Sequence, residues 1–66
     1  MQITVNGQSR EAADGLSLAE LVGQISDRST GIAVAVNSEV VPRGSWSGTP
    51  VQPGDRVDVV TAVQGG

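Results

Sequence analysis

Only one stretch of this 66-residue sequence carries a helix signature, and the other patterned stretches all read as strand. Ser17-Leu18-Ala19-Glu20 fits a capping box, with Ser17 as N-cap and Glu20 three residues on. Leu16 before the cap and Leu21 inside the helix can form a hydrophobic staple. Leu18, Leu21, Val22 and Ile25 then follow the i, i+3, i+4, i+7 stripe of an amphipathic helix. The eleven residues from Leu16 to Ser26 are therefore expected to be helical. A single short helix has one apolar face and can cover one face of one sheet. That points to an α+β domain.

The strands follow from alternation. Met1, Ile3 and Val5 alternate with Gln2 and Thr4 as in a half-buried strand. Asn6-Gly7 predicts a type I′ hairpin turn, with Gln8 to Ala13 as a poorly patterned return strand at an edge. Asp14-Gly15 is a turn. Ile32 to Val36 is apolar at every position, which predicts a central strand covered at least partly on both faces. A right-handed crossover through the helix would set this third strand parallel to one strand of the hairpin. Asn37-Ser38-Glu39 is a turn, and Val40-Val41 is a short strand stopped by Pro42. Residues 42–48 read as irregular connection. Gln52-Pro53-Gly54-Asp55 has the form of a type II turn, and Asp55 is expected to fix it. The last strand alternates Val57, Val59, Thr61 and Val63 with Asp58, Val60 and Ala62. Gly23 lies opposite the apolar stripe and should cost about 1 kcal/mol relative to Ala, with no packing reason evident.

Composition removes most chemistry. The chain has no Cys, His, Lys, Phe or Tyr. That excludes a disulfide, a thiolate zinc site, a histidine base and a lysine amine nucleophile. Asp14, Glu20, Asp27 and Glu39 fall in turns and caps and form no acid–base pair, so no catalytic or metal residue is assigned. A net charge of −3 with only four Arg argues against nucleic acid as partner. The longest apolar run is Ile32 to Val36, too short for a membrane span, and the first residues lack a signal-peptide pattern. A cytoplasmic chain is expected.

Three features rise above this background. Terminal Gly65-Gly66 has no side chains, so the carboxylate could enter a narrow channel in a partner. Four extended residues reach roughly 13–14 Å. Such a carboxylate is a ligand or a substrate, and its obvious activation is attack on the α-phosphate of ATP; a floppy chain end is the plain alternative. The lack of Lys and Cys leaves few internal nucleophiles to intercept an activated acyl group, although a GC-rich genome would produce the same composition. Val60 and Ala62, with Ala33 and Ala35, could form an apolar patch on the outer sheet face. Trp46 is expected to anchor the irregular loop.

Val34-Ala35-Val36-Asn37, then Val40-Val41-Pro42-Arg43 and Trp46, resembles the characteristic stretch of the thiamin-biosynthesis sulfur carrier (ThiS) family. Pro53-Gly54-Asp55 and Gly65-Gly66 extend the resemblance over nearly the whole chain. It implies a ubiquitin-like β-grasp fold, a mixed four- to five-stranded sheet with one helix across one face. It implies one domain over residues 1–66 with a flexible tail from about residue 63. It further implies that an adenylyltransferase similar to ubiquitin-activating enzymes adenylates Gly66 with ATP. Sulfur from a persulfide-forming donor enzyme then gives a thiocarboxylate, which thiazole synthase consumes. By position, Gly65 and Gln64 would thread the partner's channel, and Val60, Ala62 and Val63 would face the partner. No cofactor would be bound, and a monomer is expected. Gln64 stands where the family is expected to carry a small residue such as Ala, and Asp58 and Thr61 make the last strand more polar than is usual there. A carrier for molybdopterin or amino-acid synthesis, a ubiquitin-like modifier and a plain binding domain are the competing readings.

Overall fold

The computed structural model describes residues 1–26 and 31–61, with residue 61 described by its backbone alone. Strands β1 (Gln2–Val5) and β2 (Gln8–Glu11) form a hairpin, and helix α1 (Leu18–Ile25) follows. Strands β3 (Ile32–Val36) and β4 (Glu39–Val41) form a second hairpin. A single 3₁₀ turn at Arg43–Ser45 leads through a loop to β5 (Arg56–Thr61). The five strands form one mixed sheet in the order β2-β1-β5-β3-β4.

Both hairpin turns are the mirror-image type that the twist of paired strands favours. Asn6 and Gly7 have φ of 50° and 82°, and Asn37 and Ser38 have φ of 51° and 73°. The type II turn is also present. Gly54 has φ 82°, the Asp55 N–H donates to the Gln52 carbonyl, and the Gln52 N–H donates to Asp55 Oδ2.

Three expectations need correction. The helix has eight residues rather than eleven, because Ser17 and Ser26 are extended caps at its two ends. The return strand β2 ends at Glu11 rather than Ala13. The continuous apolar run of β3 is not covered on both faces: Val34 is 1% exposed, whereas Ala33 is exposed. The middle of the sheet is β5, not β3. The parallel relation expected from the crossover holds in direction, although β3 pairs with neither strand of the first hairpin. Its partners β5 and β4 both run antiparallel to it, and the parallel pair is β1 with β5. The direction of β3 does match that of β2, but two strands lie between them. One feature of the 42–48 connection was also not foreseen, namely its 3₁₀ turn.

The core lies between the sheet and α1. Leu18 and Leu21 are fully buried and Val22 is 3% exposed, over Ile3, Val5, Val34 and Val57. Ile25 packs against this cluster, which completes the predicted stripe. Both arms of the capping box form: the Glu20 N–H donates to Ser17 Oγ, and the Ser17 N–H donates to Glu20 Oε1. The Ser17 backbone N–H, followed by the Ser17 side chain, favours the charged Glu20 carboxylate and lowers its pKa. Trp46 closes the open side. It is 6% exposed, and its indole N–H donates to the Val41 carbonyl at 2.9 Å. Its own carbonyl accepts from the Ala19 N–H, while that of Thr49 accepts from Leu18. The loop therefore satisfies two N-terminal amides of α1 that a helix leaves unpaired. Gly23 has no atom within 4 Å of where a Cβ would lie, so packing does not require glycine there.

Two turn asparagines secure β5. Asn6 Oδ1 accepts from the Val59 N–H at 2.8 Å, which extends the β1–β5 contact beyond the end of β1. Asn37 Oδ1 accepts from the Arg56 N–H at 3.0 Å, and its Nδ2 donates to Asp55 Oδ1. The Asn37 N–H donates to the Arg56 carbonyl. Asn37→Gly keeps the positive φ and loses the side-chain bonds, which should cost about 1 kcal/mol. Asn37→Ala loses both and should cost about 2 kcal/mol or more. Urea unfolding followed by Trp46 fluorescence distinguishes the two; equal losses would show that the turn conformation carries no energy.

Candidate functional site

The last described element, β5, is the middle strand of the sheet. On one side β5 pairs with β3 along its length, from Val36 opposite Val57 to Ile32 opposite Thr61. On the other side β1 stops at Val5, opposite Val57, and the Asn6 side chain supplies the last contact at Val59. Residues 62–66 follow directly. Ala62, Val63, Gln64, Gly65 and Gly66 therefore lie outside the described residues.

Alternation along β5 sorts its side chains. Val57 is fully buried and Val59 packs against the core. Asp58 and Val60 point to the face away from the helix, as the sequence suggested, and Val60 is 60% exposed. Residues directly opposite in a ladder share a face. Ala33 lies opposite Val60, and Ala35 lies opposite both Asp58 and Val40. Val40 is 70% exposed. The predicted patch of Val60, Ala33 and Ala35 thus extends to Val40.

Sequence reading missed Val40. In the pair Val40-Val41 only one side chain can face the core, and Pro42 ends the strand before alternation shows which. Register decides it: Val41 lies opposite the buried Val34 and packs against the core, so Val40 faces out.

The outer face is split by chemistry. Over β3, β4 and the end of β5 it is small and apolar. Over β1 and β2 it is a polar network in which Ser9 Oγ donates to Gln2 Oε1 and Gln2 Nε2 donates to Glu11 Oε1. Arg56 marks the boundary, donating to Ser38 Oγ at 2.7 Å and lying 4.0 Å from Asp58. Among the described residues, no three His, Cys, Asp or Glu side chains gather as a metal site requires. No described helix is long and apolar enough to cross a membrane. The site's chemistry therefore reduces to a small apolar surface continuous with the strand that leads into the tail.

The ThiS family model matches residues 3–66. The sulfur carrier protein ThiS of Escherichia coli (strain K12) is 38% identical over 66 residues, with both chains covered completely. A thiazole synthase of Paramagnetospirillum magneticum is 30% identical over the whole chain, which spans 20% of that protein's length. The crystal structure of the thiamine biosynthesis protein ThiS from Geobacter metallireducens superposes with a TM-score of 0.88 at 30% identity, over all of both chains.

The burial pattern makes a stability prediction. Val60→Ser should change stability by no more than about 0.5 kcal/mol, as at an ordinary surface position. Val57→Ala, two residues earlier, should cost about 2 kcal/mol through lost burial and a cavity. Thermal unfolding of the two variants checks this, and a comparable loss at Val60 would place its side chain in the core instead.

Proposed function

The chain belongs to the ThiS family, the sulfur carrier proteins of thiamine biosynthesis, and we propose that its cargo site is the C-terminal carboxylate of Gly66. The family is one of carriers, not of catalysts. The observation that carries the proposal is the continuity of central strand β5 with a tail ending in Gly65-Gly66. A rigid strand delivers the tail from a fixed origin. Two residues without side chains then let the carboxylate pass through a channel that Cβ atoms would block.

The chemistry must come from partners, because the chain has no His, Cys or Lys to supply a base or nucleophile. In the first step a carboxylate oxygen attacks the α-phosphorus of ATP on an adenylyltransferase. Pyrophosphate leaves and an acyl-adenylate forms. In the second, the terminal sulfur of a donor enzyme's persulfide attacks the acyl carbon and AMP leaves, giving an acyl disulfide. A thiol then attacks the donor-side sulfur, the S–S bond breaks, and donor and thiol leave joined as a disulfide. The thiocarboxylate that results is the carried sulfur. Thiazole synthase is the proposed recipient. The thiazole synthase that contains a stretch similar to this chain supports it, since carrier-like and recipient segments are joined there.

Val60, Ala62 and Val63 are proposed to face these partners, together with Val40, and Gln64 to sit at the channel mouth. The small side chains of Ala33 and Ala35 keep this face flat, so a partner's surface can approach the strands closely.

Intact-protein mass after incubation with ATP, sulfide and the cognate adenylyltransferase tests the cargo site. The expected result is one oxygen-for-sulfur exchange mapped to Gly66, abolished in a chain lacking Gly66 whose Trp46 emission is unchanged. Normal exchange in that shortened chain would reject Gly66 as the site.

A further inference from the structure

An activated acyl group is at risk from any amine that reaches it. The sequence has no Lys and no Cys, so the α-amino group of Met1 is the amine to consider. Hydroxyl groups are poor nucleophiles without a base, and there is no His to activate one.

The structure surrounds that amine with acceptors. It donates to Glu11 Oε2 at 2.7 Å and to the Ala12 carbonyl at 2.7 Å, and Asp14 Oδ1 lies 3.6 Å away. An ammonium has three protons to donate; Glu11 and the Ala12 carbonyl accept two, and the Asp14 carboxylate adds a second negative charge nearby. Glu11 is itself held in place. Its other oxygen accepts from Gln2 Nε2 at 2.6 Å, and Gln2 accepts from Ser9 Oγ. The polar half of the outer sheet face thus ends on the amine. The Met1 side chain packs against the core, and the Ala12 N–H donates to the Met1 carbonyl, which fixes the residue from both sides. Donation to the Glu11 carboxylate raises the amine's pKa above the usual α-amino value against a smaller desolvation effect, and the same bond lowers that of Glu11.

Topology supplies a second separation. Strands β1 and β5 are parallel, so Met1 lies at the end of the sheet where β5 begins. The Gly54 N–H donates to the Gln2 carbonyl at that same end. Thr61, the last residue of β5, lies at the opposite end of that six-residue strand. A strand of that length spans about 20 Å. A second molecule is therefore the nearer threat.

We propose that Glu11, assisted by Asp14, determines the specificity of the carrier reaction by capturing the Met1 amine as an ammonium, which leaves the activated Gly66 acyl group to sulfur. This rests on the reading that Gly66 is adenylated. The reaction prevented is defined. The free amine would attack the acyl carbon, a C–N bond would form, the bond from acyl carbon to AMP oxygen would break, and the nitrogen would release a proton. The product would be an amide joining two chains. An ammonium has no lone pair with which to begin.

The test uses the full chain in two arms. In the first, wild type and Glu11→Gln/Asp14→Asn react with the N-hydroxysuccinimide ester of acetic acid at neutral pH. Intact mass counts single acetylation, and an unchanged Trp46 emission confirms the fold. The variant should label about two- to fivefold faster, the scale set by losing exposed ion pairs. Equal rates would overturn the proposal. In the second arm, each protein meets the adenylyltransferase and ATP without a sulfur source. The variant should accumulate an amide-linked dimer, of two chain masses less one water, faster than wild type. Equal dimer formation, with pyrophosphate exchange proving that the adenylate forms, would also overturn it. Absent exchange in wild type would instead reject adenylation at Gly66 and the proposal with it. The labelling rates distinguish that outcome from a failure of the capture alone.

Discussion

Everything that orders this small chain converges on the two ladders of β5. This last strand in sequence is the middle strand in space, and it joins two hairpins that have no strand pairing with each other. Removing it would leave β1–β2 and β3–β4 as isolated hairpins, which are marginal in water. Its position is secured in two ways. Val57 is fully buried beneath α1 in the core shared with Ile3 and Val34. The side chains of Asn6 and Asn37 then bond its backbone N–H groups at Val59 and Arg56. Each of these asparagines also holds the positive φ that its hairpin turn requires. One residue type therefore turns the chain and attaches the turned hairpin to the central strand.

Local signals were legible because their physics is local. Asn6-Gly7, the Ser17–Glu20 box and Pro53-Gly54-Asp55 each state a backbone conformation within four residues, and each forms as read. Pairing was less legible, because it depends on residues far apart in sequence. The run from Ile32 to Val36 reads as doubly covered, yet one helix of eight residues cannot cover two faces. Its alanines are small enough to stand on the open face. The bonds of Asn6 and Asn37 to β5 span 53 and 19 residues, and no local pattern encodes them. Ala12 and Val51 are buried at 6% and 4% exposure although both sit beside turns, where periodicity gives no signal.

The split outer face follows from the same shortage of helix. A sheet with one helix leaves its second face to water, and two chemistries occupy that face here. Over β1 and β2 the exposed side chains bond one another in a chain from Ser9 through Gln2 to Glu11. Over β5, β3 and β4 they are Val60, Ala33 and Val40, with Ala35 half-buried between them. That half is a surface suited to temporary cover. A carrier that must release each partner benefits from a small contact, since affinity that outlasts the chemistry would slow the next transfer.

Parallel pairing of β1 with β5 gives the two halves a direction. An antiparallel neighbour would have placed the start of the chain beside the departing tail, and the amine would then sit within reach of its own carboxyl group. Here Met1 lies at the end of the sheet where β5 begins, and the polar half of the outer face carries Glu11 to that same end. The absence of Lys and Cys is compatible with a merely GC-rich genome, but the placement of Glu11, Ala12 and Asp14 around Met1 is a property of the fold. Base composition does not place two acceptors and a second carboxylate around one ammonium. The geometry therefore adds to what the composition shows: the Met1 amine is bound by Glu11 and the Ala12 carbonyl, at the end of the sheet where β5 begins.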